Sequence, residues 1–252
     1  MATALASRLR APRRVPAPTI PRRGAAGFDH SRLARTLAAV TDGWRVDYGG
    51  VARSSDLAAY RRDLAAADPS SFSRDEQLAF WINAYNASIL NLVAERMPVR
   101  SVLDIDGALT RVRFHVARSD LSADEILHGI VRRLGDARAH FALNSASVGA
   151  PPLRAYEGAG LGAQLEDNGR RYLADEQRGA RGDGERVLVS RILRWFAGDL
   201  APVGAMPSAL GTLLGVLRPA RVLPAARGLL PERLRSARRV GFLAYDWAVN
   251  GG

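Results

Sequence analysis

The chain has 252 residues, 47% of them hydrophobic, with a net charge of +11 and no cysteine. That length supports one sizeable core. The absence of cysteine excludes disulfides, thiolate metal sites and a cysteine nucleophile. The +11 is carried entirely by arginine, with no lysine, and residues 1–27 hold six arginines and no acid, leaving +5 for the rest, an ordinary value for a globular domain. A nucleic-acid partner would therefore rest mainly on this leader and is disfavoured.

The leader (1–27) places Pro12, Pro16, Pro18 and Pro21 among arginines. Such a segment buries too little apolar surface to offset chain entropy, and disorder is expected. No run of apolar residues reads as a secretory signal or a membrane span, so a cytoplasmic location is the expectation. The domain is expected over 28–252.

In chain order, Leu33, Leu37 and Val40 share a face and predict a helix over 29–41. Trp44 to Tyr48 alternates like a short strand, and Gly49-Gly50 reads as a turn. A helix over 55–67 ends before Pro69. Ser73 and Glu76 form a capping box that opens a helix running to about Met97. That helix is apolar around most of its circumference and should be the buried centre of the fold. Asn83 and Asn86 sit inside it, and buried amides need partners. Ser122 and Glu125 form a second box, opening a helix to about Leu134. Residues 138–144 alternate and predict a strand with His140, Ala142 and Asn144 on one face. Helices near 161–174, 190–197 and 208–217 follow, with strands near 186–190 and over Val240–Trp247.

The blocks Phe80–Ala87, Leu121–Arg132, His140–Leu153, Arg191–Asp199 and Tyr245–Trp247 with Asn250 stand in an order that resembles the bacterial and plant family catalogued as domain of unknown function 547. The resemblance spans about residues 45–250. It implies a fold and candidate positions but no reaction, because the family's activity is not established. Members often carry cysteines where this chain has Ser145 and Ala150, which puts any thiol mechanism in doubt here. Relatives are frequently exported or membrane-anchored, a location for which this chain shows no signal.

Several groups could carry chemistry. His140 and Ser145 could form a base–nucleophile pair, with Asn144 or Asp246 orienting the ring and amides of the 147–149 turn holding an oxyanion. The alternative is a histidine bonded within a strand and a serine that satisfies a turn. Glu125 and His128, with His140, are ligand types for zinc or another first-row metal, though each also fits a plain helix position. Asn83, Asn86 and Asp246 could bind a ligand, or could tie off loop backbone. Neither a phosphate loop nor a dinucleotide fingerprint is present, and the sequence names no cofactor.

The fold class expected is α+β: a single mixed domain with a small sheet (138–144, 186–190, 239–245) packed on a buried central helix. The order of polar helix residue, strand histidine and strand polar residue is similar to papain-like and transglutaminase-like domains. The functional alternatives are a hydrolase or acyl transferase using His140, Ser145 and Asn144, and a non-catalytic module for a small molecule or peptide.

Overall fold

A computed structural model describes residues 15–21, 27–183, 185–200 and 226–251. It is a mixed α+β domain built around one long helix. Six α-helices are described: α1 (Ser31–Val40), α2 (Tyr48–Arg53), α3 (Ser55–Ala66), α4 (Arg74–Arg96), α5 (Leu161–Ala174) and α6 (Arg191–Trp195). The strands are β1 (Phe114–Val116), β2 (Ser119–Leu121), β3 (Ala180–Asp183), β4 (Arg186–Val189) and β5 (Arg239–Phe242).

The α4 helix begins where Ser73 accepts a hydrogen bond from the Glu76 amide at 3.3 Å. Only the serine half of the expected box forms among the described residues. From Gln77 to Leu90 every residue is buried, so α4 is surrounded on all sides, as its all-round apolar character requires. Its aromatic flank is a chain of edge-to-face rings, Phe72–Phe80, Phe80–Trp81 and Phe28–Phe80. The described part of the leader is fixed to this helix and its neighbours. Gln77 donates to the Thr19 carbonyl at 2.6 Å, and Arg133 donates to the Val15 carbonyl at 3.0 Å. The remaining expectation of a disordered leader lies outside the described residues, as does the helix expected at 208–217.

Strands β1 and β2 form an antiparallel hairpin, and β3, β4 and β5 a separate sheet in that order. β3 runs antiparallel to β4, and β4 runs parallel to β5 with Val187 opposite Val240. The chain end then tracks back across the domain through single bridges, Ser101 with Ala248, Ser147 with Val249 and Val46 with Gly251.

Three local expectations are corrected. Residues 44–48 form no strand: Val46 makes isolated bridges to Thr41 and Gly251, and Tyr48 already opens α2. Gly49-Gly50 lies inside that helix instead of turning the chain. Asp47 caps it by accepting from the Gly50 amide at 2.9 Å, and a Cβ on Gly50 would stand 2.6 Å from that carboxylate. The small residue is thus what lets the cap fold over.

The helix after Ser122 forms both halves of its capping box, with Ser122 and Glu125 exchanging bonds at 2.8 and 3.2 Å. Its winding is irregular, a π segment over Glu125–Ile130 followed by a 3-10 segment over Val131–Leu134.

Residues 138–144 are not a strand. Ala137–Phe141 is a 3-10 turn capped by Asp136, and Ala139 through Asn144 are all buried. An alternating pattern signals a strand only when one face meets water, and here neither does. The sheet contains the other two expected strands and gains β3 in place of this segment.

His30 marks the packing of α1 against α3. Its Nδ1 shares a 2.6 Å hydrogen bond with the Tyr60 hydroxyl, and the ring is 1% exposed. Burial pushes its pKa from 6.5 down to about 4, with only a partial opposing pull from the Asp29 carboxylate. The unfolded chain therefore takes up this proton before the folded one does. The contribution to stability is complete above about pH 6.5 and is lost as pH falls towards 4, by up to about 3 kcal/mol. Thermal melts of wild type and His30→Gln at pH 7.5 and 4.5 test this. The loss of melting temperature at low pH should be smaller in the variant.

Candidate functional site

The segment from Phe141 to Tyr156 has almost no regular structure, yet nearly all of it is buried. Four asparagines account for its backbone. Asn86 on α4 donates to the Ala142 carbonyl at 2.9 Å and accepts from the Asn144 amide at 2.8 Å. Just under one turn earlier, Asn83 donates to the Tyr156 carbonyl at 2.7 Å and accepts from the Tyr156 amide at 3.0 Å. Asn144 itself donates to the Pro151 carbonyl at 2.6 Å and accepts from the Ala146 amide at 2.8 Å. Asn168 on α5 donates to the carbonyls of Phe141 and Pro152 at 2.7 and 3.1 Å. A side-chain amide presents a donor and an acceptor side by side, as a strand edge does. These side chains therefore act as a surrogate ladder for the parts of the loop outside its bridge to the 246–250 segment. The amides of Asn83, Asn86 and Asn144 are thus all bonded to loop backbone.

The loop carries Ser145 on its surface side. The next residue, Ala146, has a positive φ of 56°, an uncommon conformation for alanine, held by the Asn144 bond to its amide. The Ser145 hydroxyl bonds to Ser147 Oγ at 2.9 Å and to the Tyr245 hydroxyl at 3.1 Å, and Ser147 Oγ and Tyr245 are 2.9 Å apart. The three hydroxyls close on one another. No imidazole is among the partners of Ser145. Two of the amides expected to form an oxyanion hole are also used, Val148 by the Ala248 carbonyl and Gly149 by the Asp246 carbonyl. Gly149 fits closely there: a Cβ would lie 3.0 Å from the Asp246 amide nitrogen.

His140 points into a different cluster. Its Nε2 lies 2.8 Å from Asp199 Oδ2, and its ring stacks on Phe196 at 3.8 Å between centroids and 11° between planes. Asp199 also receives a two-pronged bond from Arg132, at 2.5 and 2.7 Å. Burial raises the Asp199 pKa, but the His140 and Arg132 hydrogen bonds outweigh it and hold the carboxyl well below the usual range. Asp199, not Asn144 or Asp246, orients the His140 ring. Asp246 is exposed and accepts from the Ala248 amide at 2.8 Å in a local turn.

The metal set also divides. Glu125 is bound to Arg113 and to the Ser122 amide. His128 Nδ1 faces Arg132 at 3.0 Å, where only a neutral ring nitrogen can accept. Among the described residues, no group of three or more His, Asp or Glu side chains is placed to hold a metal ion.

Beside the hydroxyl trio stands an aromatic cluster that sequence reasoning did not single out as a site. Trp195, Tyr245 and Trp247 are mutually packed, with centroid distances of 4.9, 5.8 and 4.7 Å, and all three are half-buried. Trp195 ends α6, and the adjacent Phe196 is the ring stacked on His140. One short helix thus separates the two clusters. Asn250 clamps the chain end beneath them, accepting from the Tyr48 hydroxyl at 2.7 Å and donating to the Trp44 carbonyl at 3.0 Å.

Residues 69–173 match the family model described as "Protein of unknown function, DUF547". No curated protein and no solved structure matches. The matched segment holds the asparagine frame up to Asn168, with His140 and Ser145, while Asp199, Trp195, Tyr245 and Trp247 follow it. No helix among the described residues is long and apolar enough to cross a membrane.

Replacing Asn86 by Ala would leave the Ala142 carbonyl and the Asn144 amide buried without partners. The expected cost is about 2–4 kcal/mol, read as a lower midpoint in denaturant unfolding. A cost below 0.5 kcal/mol, on the order of a surface substitution, would contradict the frame.

Proposed function

We propose that this domain is a non-catalytic binding module for a peptide or small ligand. Its binding face is formed by the hydroxyls of Ser145 and Ser147 and the rings of Trp195, Tyr245 and Trp247. The observation that carries this reading is the set of partners around Ser145: a serine and a tyrosine, with no base. A serine hydroxyl has an ordinary pKa far above neutrality and needs an adjacent base to attack a carbonyl. His140 is not among the partners of the Ser145 hydroxyl, and its Nε2 faces Asp199. The hydrolase or acyl-transferase reading lacks support in this arrangement.

The same residues are well suited to recognition. Aromatic rings give large, rigid contact area at low entropic cost, and hydroxyls beside them offer both donors and acceptors. A ligand would lay an apolar face on the rings and take its polar contacts from Ser145 and Ser147.

Two measurements test the proposal. Hydrolysis of para-nitrophenyl acetate should proceed at the same slow rate in wild type and in Ser145→Ala. A drop of ten-fold or more in the variant would restore the enzyme reading. In parallel, soluble 12-residue peptides screened by tryptophan fluorescence should yield binders whose affinity falls at least ten-fold in Trp247→Ala. Binders that are indifferent to Trp247→Ala and to Ser145→Ala would place recognition elsewhere.

A further inference from the structure

A second feature, built from other residues, is a groove of about 310 Å3 between α3, α4 and β1. Phe114 and Val116 of β1 give it apolar walls, together with aliphatic residues of α3. Arg61 and Arg62 line it from α3, His115 from β1 and Ser88 from α4. Ser88 is only 4% exposed, yet its hydroxyl makes no hydrogen bond among the described residues. As a lining residue it offers that hydroxyl to an occupant of the groove.

The charges around the groove are unequal in their engagement. Arg61 lies 3.8 Å from Glu95, and His115 lies 2.8 Å from Asp120, both pairs being exposed. Arg62 has no carboxylate partner among the described residues.

The wall itself is held rigidly. Ala117 and Arg118, at the tip of the hairpin, both have positive φ, 50° and 58°. Their amides donate to the Leu64 and Ala65 carbonyls at 2.8 and 2.9 Å, and Arg118 Nε reaches the Ala66 carbonyl at 3.3 Å. The hairpin therefore satisfies the last carbonyls of α3 and keeps a strained turn in place. The outcome of that strain is a fixed separation between β1 and α3, with the groove between them.

We infer that this groove binds a small organic anion: an apolar body lying along Phe114 and Val116, with a carboxylate or phosphate group reaching Arg62, Arg61 and the Ser88 hydroxyl. Arginine suits a planar or tetrahedral oxyanion through paired N–H donors, and the buried serine supplies a further donor. The apolar walls select against a bare inorganic ion, which would leave them uncovered.

The full chain should be titrated by calorimetry with octanoate and separately with inorganic phosphate. Saturable one-to-one binding of octanoate is expected, with phosphate at least ten-fold weaker. The Arg61→Ala, Arg62→Ala double variant, altered only on exposed side chains, should weaken octanoate at least ten-fold. Ser88→Val, which fills the groove, should abolish binding while the circular dichroism spectrum stays that of wild type. If Ser88→Val does not fold, the arginine double variant decides alone. Phosphate binding as tightly as octanoate, octanoate affinity unchanged in the double variant, or no saturable binding would each overturn the inference.

Discussion

The paired hydrogen bonds from Asn83 and Asn86 to the 142–156 loop are the constraint on which the site depends. A buried loop with only an isolated bridge beside it exposes most of its amides and carbonyls to an apolar interior, and each one left unpaired costs about 1–3 kcal/mol. Two polar side chains on an otherwise apolar helix remove four such penalties at once. They also fix position: with both ends of the loop bound to one rigid helix, Ser145 is delivered to the surface and His140 is kept inside. The polarity of α4 at these two positions is the condition for the loop to be buried at all.

The loop sits between two clusters of opposite character. On the inner side, Asp199 is shared by Arg132 and His140, a cation and an imidazole around one partly buried carboxylate. On the outer side, the hydroxyls of Ser145, Ser147 and Tyr245 hydrogen-bond to one another. Phe196 and Trp195, adjacent in sequence, face these two sides. The Arg191–Asp199 block is thus a connector whose consecutive residues serve inner electrostatics and outer recognition.

What the sequence made legible was local. The starts of the helices after Ser73 and Ser122, the all-round burial of α4, the helix at 161–174 and the β4 strand follow from capping and periodicity within a few residues. The partner of His140 was not legible by the same means, because Asp199 lies 59 residues away and nothing local joins them. Tyr245 stands 100 residues from Ser145 for the same reason. Alternation predicts a strand over 138–144, but the segment is covered by α4 and α5 through Asn86 and Asn168 and pairs with no strand. A run of small residues ending in Pro151-Pro152 after two core asparagines would have been the better clue, since such a run cannot pair as a strand and must borrow its partners from side chains.

The same frame bears on how the site relates to an enzyme. A histidine, a carboxylate and a serine are all present, so an inventory of residue types would count a triad. The hydrogen bonds divide that inventory: the His140–Asp199 pair is completed by Arg132, and Ser145 is completed by Tyr245. In a triad the carboxylate serves to stabilise an imidazolium formed during proton transfer. Here a guanidinium already occupies the carboxylate with two bonds, so part of that capacity is spent before any reaction begins. Asp199 is thus the point at which the guanidinium of Arg132 and the imidazole of His140 meet.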